Sequence, residues 1–528
     1  MQRFVAIIVI AAAASALGAC TSTAPQEGAP TAAPTSAMSE AQWPMYNGTY
    51  AATRYSSLND INNANVGALK RACTLKLNEG GAFQAGPVIV AGVAYVTTMH
   101  DTYAINATNC RLLWRAIYKP SGLEVFNTNR GVAFDGGRLF RDTEDAHLIA
   151  LDAKSGSTVW NVQAADSSKG YFLSAAPIVW NGKVYAGTAG ADWGARGRMM
   201  AFDESSGARD WSFDLIPTGT EYGSQSWGRA SSTVTGGGST WTSYSLDPQT
   251  GELFVPVGNP APDFSGDYRP GANLFTDSLV VLDANTGALK WYYQAVPHDT
   301  HDYDIGAAPA LITTKGGKNL VVFGGKDGYL YALDRASHGL VYKVPVTTIK
   351  NEDRAPTIKG AHVCPGWVGG VEWNGPAFDP ASNEIFVGAN DWCGSYTLAE
   401  VRFVAGKFFT GGTFIPDPYQ GAHGWVTAFD ADTGAVVWKD KTIGPALAGM
   451  TPTAGGIVFT GDLSGMFYAF DAASGRELYK YQTSGAMAGG VVAYDENGKE
   501  YVIADSGNVS RSIWAGSSGQ PTIYIFSR

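Results

Sequence analysis

The sequence predicts an all-β fold, an eight-bladed β-propeller, on three observations. The first is a motif that recurs seven times: a small or apolar residue, an apolar residue, usually Asp, a turn with Gly, and an aromatic ten residues after the start. It runs from Ala104 to Trp114, Ala150 to Trp160, Ala201 to Trp211, Val281 to Trp291, Ala332 to Tyr342, Ala428 to Trp438 and Ala469 to Tyr479. The second is composition. With 65 Gly, 12% aromatic and only 16% charged residues, the chain favours short strands and tight turns over helices. The third is length. Residues 42–528 exceed what one core usually serves, so repeats or several domains are expected.

Each motif reads as strand, turn, strand. Its third position is Asp at 152, 203, 283, 334, 430 and 471, and Asn at 106. The motifs start 46, 51, 80, 51, 96 and 41 residues apart. A unit of about 45 residues is one four-stranded blade. The interval of 96 is long enough to hide a further blade, assigned to Ala377-Phe378-Asp379-Pro380 followed by Glu384-Ile385-Phe386-Val387. Seven plus one gives eight. The interval of 80 takes a long insertion over 213–277, and the final Thr522–Phe526 is expected to close the ring against the N-terminal region.

The chain opens with Arg3 and an apolar run from Phe4 to Leu17, too short for a membrane span and shaped like a secretory signal. Leu17-Gly18-Ala19-Cys20 resembles the bacterial lipoprotein box, which implies cleavage before Cys20 and lipid on it. An ordinary signal peptide with an incidental Cys is the alternative. Thr21 in place of Asp favours sorting to the outer membrane. Residues 21–41, rich in Ala, Thr, Ser and Pro, read as a flexible tether. The expected location is the periplasm, with lipid the only membrane contact. A net charge of −10 argues against nucleic acid as a partner.

In His301-Asp302-Tyr303-Asp304, two carboxylates two residues apart point the same way on an extended backbone. Such a pair can hold a cation, or one member can take a proton while the other holds the metal. A lone pair of this kind is more often solvated or bonded to local backbone.

From Trp43 onward the sequence resembles the quinoprotein alcohol dehydrogenases. The resemblance begins with Arg54-Tyr55-Ser56-Ser57-Leu58 and Asn65-Val66-Gly67-Ala68-Leu69-Lys70, and the recurring motifs look like that family's tryptophan-docking repeats. It implies pyrroloquinoline quinone (PQQ) bound without a covalent link beside a metal ion, Ca2+ or a lanthanide. Gly236-Gly237-Gly238-Ser239-Thr240-Trp241 looks like the turn ending in the Trp on which the quinone stacks. Gly258-Asn259-Pro260 resembles the segment presenting an Asn amide oxygen to the metal, and Gly190-Ala191-Asp192-Trp193 the one supplying a Glu ligand, here Asp192. Arg130 matches the Arg that pairs with a quinone carboxylate, and Lys326 the basic residue against the quinone oxygens. Ser174 and Gln84 match weaker polar contacts, and Asn374 is placed in the same funnel. By the same resemblance Asp302 is the general base and a metal ligand, and Asp304 the extra ligand of the lanthanide-using branch. His301 stands where a Trp is usual, beside the base: it either perturbs the base's pKa or contacts substrate, or is a packing or solvent-exposed residue.

The family's adjacent cysteine pair is missing, with Glu124-Val125 about where it would stand. The sequence also contains no Cys-x-x-Cys-His, so the expected electron acceptor is a separate periplasmic cytochrome c. Apart from Cys20, four cysteines remain, with three possible pairings. The resemblance implies Cys364–Cys393. Cys73 and Cys110 then form a second bridge or stay as buried thiols. Two functions follow: an alcohol dehydrogenase, or a non-catalytic propeller lipoprotein that serves as an outer-membrane scaffold. A variant of the first takes a bulky or polymeric alcohol through an entrance shaped by 213–277.

Overall fold

The computed structural model describes residues 42–510, 513–514 and 518–528; the signal-like segment, Cys20 and the tether lie outside the described residues. The architecture is an all-β propeller of eight four-stranded antiparallel sheets, with one further three-stranded sheet. Seven sheets are continuous in sequence in their first two and last two strands, and span 88–117, 132–163, 178–214, 245–294, 310–345, 377–442 and 451–482. The eighth joins Val491–Glu496, Lys499–Ser506 and Thr522–Ser527 to the N-terminal strand Lys70–Lys76. Among the described residues, no helix is long and apolar enough to cross a membrane.

The recurring motif is the hairpin of the third and fourth strands. Its first residue and its aromatic are direct cross-strand partners in all seven cases, from Ala104 opposite Trp114 to Ala469 opposite Tyr479. The Asp at the third position caps the turn. Asp152 accepts from the Ser155 amide at 2.8 Å, Asp203 from Ser206 at 2.8 Å and Asp471 from Ser474 at 2.9 Å. Asn106 does the same for Asn109 at 3.1 Å. A short acceptor at this position closes the turn without a backbone partner, which is why Asp recurs there.

The aromatic then ties its sheet to the next. Trp114 donates its indole N–H to the Ala153 carbonyl at 3.1 Å, Trp160 to Glu204 at 3.0 Å, Trp211 to Ala284 at 3.0 Å and Trp438 to Ala472 at 2.7 Å. Each ring lies against the turn glycine of that next sheet: Gly156, Gly207, Gly287 and Gly475, all with φ near +75°. A side chain there would meet both the ring and left-handed backbone strain. In the fifth sheet the turn residue is His338, φ +60°, and Trp291 stacks on its ring at 4.3 Å.

The eighth sheet uses other chemistry. Cys73 lies opposite Ile525, next to the same bulge that sets the aromatic elsewhere, and Cys110 holds the turn position occupied by glycine at 156, 207, 287, 434 and 475. The two are bridged, so a disulfide takes the place of the aromatic contact between the last sheet and the first. Thr522–Ser527 pairs with Lys70–Lys76, as expected of the closing segment.

One expectation is corrected. Ala377–Asp379 and Glu384–Asp391 are not a separate blade; they are the first two strands of the sheet that holds Ala428 and Trp438. The interval of 96 reflects an excursion, the three-stranded sheet of Ala361–Val363, Gly394–Leu398 and Gly412–Pro416, stapled by Cys364–Cys393. The insertion at 213–277 is interrupted by Ser245–Asp247 and Glu252–Pro256 of the fourth sheet.

Gly475→Ala and Gly498→Ala separate packing from backbone strain. Both glycines have φ near +75°, but an added Cβ would lie 2.5 Å from the Trp438 ring at Gly475 and meet nothing within 4 Å at Gly498. The Gly475 variant is expected to lose about 1–3 kcal/mol more in urea unfolding. Equal midpoints would remove the ring–glycine contact as a constraint.

Candidate active site

In an up-and-down sheet, the entry to the first strand and the turn between the second and third strands lie at the same end. The sequence-predicted polar residues sit at these two places. Gln84, Arg130, Ser174, Trp241, Asp302 and Asp304 lie on entry segments, and Asp192, Asn259 and Lys326 on the turns of the third, fourth and fifth sheets. All nine line one cavity. Its empty space is about 750 Å³, open water at the mouth included, which admits a mid-sized planar ligand.

Arg130 and Trp241 form one wall. The guanidinium carbon sits 4.6 Å from the centre of the Trp241 ring and 5.1 Å from that of Trp373. Its N–H groups donate to Ser174 Oγ at 3.1 Å, the Trp241 carbonyl at 3.1 Å and Gln84 Oε1 at 3.0 Å. Ser174 Oγ also donates to the Trp241 carbonyl at 3.0 Å, so the same loop is held twice. Arg130 Nε is buried with no hydrogen-bond partner. Burial lowers the Arg130 pKa to about 10, against the pull of Tyr46, Glu372 and Asp304.

The opposite wall is acidic. Lys326 Nζ lies 2.6 Å from Asp304 Oδ2 and 3.2 Å from Asp302 Oδ2. Burial pushes the ammonium pKa down, but Asp302, Asp304 and Glu372 outweigh it and hold it well above its ordinary value. Burial raises Asp302 strongly, with Lys326 opposing and Asp304 and Asp192 adding. Its Oδ1 is buried without a hydrogen-bond partner, and its backbone is left-handed, φ +63°. Asp304 Oδ1 accepts the Asn259 amide at 2.7 Å. That approach needs Gly258, because a Cβ there would overlap the carboxylate. Burial and Asp304 raise Asp192 to about 6.

Behind this wall Asp263 and Asp277 are buried with both carboxyl oxygens unpartnered, and burial raises both. Arg269 supplies nearby positive charge while donating to the Pro262, Asp263 and Asp299 carbonyls.

Asn374 is the one predicted cofactor residue that the structure does not bring to the cavity lining. Its amide donates to the Leu447 and Ala488 carbonyls and accepts from Tyr46 Oη, and it is absent from the cavity lining. Glu372, two residues earlier, lines the cavity instead; burial raises it to about 8. His301 packs rather than facing the cavity: its ring stacks on Tyr303 at 5.0 Å and meets Tyr396 edge-on at 5.1 Å. Aromatic residues that sequence reading missed form the rim. Phe126, Phe172, Trp193, Phe408, Trp367 and Trp514 all line the cavity. Trp193 follows Asp192 directly, a local signal for its place. Phe408 comes from the loop between Gly394–Leu398 and Gly412–Pro416 and stacks on Trp193 at 4.4 Å. That excursion therefore shapes the entrance, whereas the 213–277 insertion supplies only Ser239, Trp241 and Asn259 to the lining.

Residues 43–357 match the family model of the β-propeller domain of glucose/ethanol/alcohol dehydrogenases. Residues 422–516 match the model of the outer membrane protein assembly factor BamB. The chain is 30% identical to the XoxF dehydrogenase of Paracoccus denitrificans, over 88% of this chain and 87% of that one. It is 29% identical to the lanthanide-dependent methanol dehydrogenase of Methylorubrum extorquens, over 87% and 85%. A solved europium-containing methanol dehydrogenase superposes with a TM-score of 0.85 at 27% identity, over 93% of this chain and 98% of that one.

The Glu372 carboxyl sets a pH dependence. It titrates near 4.5 when unfolded and at about 8 when folded, so folding takes up a proton between these values. Its contribution therefore becomes less favourable as pH rises from about 5 to about 8. The urea midpoint of the ligand-free protein is expected to fall over this range, and to fall less in Glu372→Gln. Parallel curves would exclude the buried carboxyl as the cause.

Proposed function

This chain belongs to the PQQ-dependent alcohol dehydrogenase family, and from that premise we propose that it oxidises an alcohol to an aldehyde or ketone and passes the electrons to a separate periplasmic cytochrome c. The observation that carries the proposal is the convergence of Asp192, Asn259, Asp302 and Asp304 on one cavity with Trp241 and Arg130. The donors suit the implied groups. Three carboxylates and one amide oxygen make a hard, all-oxygen set for Ca2+ or a lanthanide. The Lys326 ammonium, between Asp302 and Asp304, stands where positive charge is wanted. Trp241 offers a flat face, and Arg130 keeps one buried nitrogen free of hydrogen bonds.

Bound there, the quinone supplies a two-electron hydride acceptor and the metal ion a Lewis acid. In this proposal Arg130, Ser174 and Gln84 orient the quinone, and Lys326 faces its oxygens. Asp302 accepts the hydroxyl proton of the alcohol, and its unpartnered Oδ1 is the oxygen free to do so. The aromatic rim excludes water and favours an apolar group on the alcohol. The eight sheets are read as eight blades over 42–528, and the aromatic-on-glycine contacts as the family's docking motif. Residues 1–20 are proposed as a lipoprotein signal, Cys20 as the lipidated residue and 21–41 as a tether to the outer membrane. The scaffold reading ranks second, because the BamB-like stretch 422–516 contains none of the charged cavity residues.

Signal-free protein reconstituted with PQQ and either calcium or lanthanum is expected to oxidise alcohols in a dye-linked assay. Asp302→Asn should bind the quinone, read by its absorbance, yet turn over about 10²–10⁴-fold more slowly. Folded protein that binds no quinone with either metal would put the scaffold reading first. Asp304→Ala is expected to lower lanthanum-supported turnover more than calcium-supported turnover. An equal loss would mean that Asp304 does not select the metal.

A further inference from the structure

His100, Glu124 and Glu144 bring three metal-ligating atoms within 4.8 Å of one another. None of them lines the cavity described above. His100 and Glu144 lie on the second-to-third-strand turns of the first and second sheets, the same kind of turn that supplies Asp192, Asn259 and Lys326 in the next three. Glu124 lies on the entry segment to the second sheet, two residues before the cavity-lining Phe126.

One imidazole nitrogen faces two carboxylates. His100 Nε2 is 3.1 Å from Glu124 Oε2 and 3.2 Å from Glu144 Oε1. A single N–H can be donated well to only one of them, and its hydrogen-bond partner is Glu124. Glu144 Oε1 is left buried, the side chain only 1% exposed, with no hydrogen bond and aimed at the same nitrogen. The far side of the ring is already fixed. His100 Nδ1 lies 2.5 Å from Glu79 Oε1, and Glu79 is anchored by the His100 and Asp101 amides. With Nδ1–H held by the Glu79 carboxylate, an ion that displaced the Nε2 proton would meet Glu124 and Glu144 on the same side, the usual second-shell arrangement of a metal-bound histidine. Arg141 and His100 are the cations acting on Glu144, and Glu79, Glu124 and Glu144 outnumber them even with His100 protonated.

We propose that His100, Glu124 and Glu144 bind a divalent transition metal of the zinc class, oriented by Glu79 and separate from the metal of the cofactor cavity. Bonds of about 2.0–2.1 Å in a tetrahedral set place ligand atoms about 3.3 Å apart, close to the two separations observed. One nitrogen and two carboxylate oxygens leave the fourth position to water. The ion pins the 118–131 segment, which carries Phe126 and Arg130, to the turns of the first two sheets.

The test uses the reconstituted holoenzyme, its cofactor cavity filled, with zinc added, excess removed by dialysis and metal content read by mass spectrometry. The wild type and Asp192→Asn are expected to hold one equivalent of zinc. His100→Gln should lose it, and Glu124→Gln, a change at the exposed edge that spares the fold, should weaken zinc binding at least tenfold. Glu79→Gln should weaken it about 10–100-fold. Co2+ in place of zinc should give visible bands in the wild type that vanish in His100→Gln. No zinc in the wild type, or zinc content unchanged in both His100→Gln and Glu124→Gln, overturns the proposal. So does loss of zinc in Asp192→Asn alone.

Discussion

Among the described residues of the cavity lining, Asp192, Asp302, Asp304 and Glu372 are faced by two cations, Lys326 and Arg130, and Asp263 and Asp277 lie buried just behind. Taking carboxylates out of water in this proportion is costly unless they take up protons or acquire a cation. The burial-raised pKa values of Asp192, Asp302 and Glu372 show the first response, and the seating of the Lys326 ammonium between two carboxylates shows the second. A metal ion answers the same need with more charge. The proposed donors come from the third, fourth and fifth sheets, so an ion held by them would also bind these sheets to one another. Chemistry and cohesion share one set of residues.

The remainder of the fold provides the rigidity that this crowding requires. Four of the joints between sheets are an indole N–H on a carbonyl with the ring on a turn glycine; others use Trp291 on His338, the Tyr342 hydroxyl on the Ala431 carbonyl and the Cys73–Cys110 bridge. These ties lie along the third and fourth strands, away from the innermost segments that carry the polar side chains. The inner ends are thus free to vary in sequence while the outer joints hold the geometry.

Much of this was legible in the sequence because the joints are local. An Asp-capped turn and an aromatic at a fixed spacing are properties of one hairpin, so seven hairpins could be read directly. The eighth could not, because its third strand is Thr522–Ser527 and its fourth Lys70–Lys76, at opposite ends of the chain, and a cysteine replaces the aromatic. Reading 377–387 as the missing sheet filled the count with the wrong strands. Asp302, Asp304, Trp241 and Arg130, singled out through motifs, do share one cavity. Glu372 and Phe408 were not singled out. Nothing near them in sequence signals a cavity, and only the folding of distant loops brings them there. Glu372 lines the cavity and Asn374, two residues on, does not, because an entry segment turns successive side chains in different directions.

The cysteine clasp between the last and first sheets has a consequence for the order of assembly. Its two thiols are only 37 residues apart, whereas the last strand of the eighth sheet, Thr522–Ser527, arrives more than four hundred residues later. Oxidation can therefore fasten Lys70–Lys76 to the first hairpin before the rest of the ring has formed. The N-terminal strand then waits as a fixed template with an open edge, and the final strand, buried along its whole length, slots between it and Lys499–Ser506. A thiol-reducing compartment would leave that template loose, so ring completion depends on where the chain is when its end emerges.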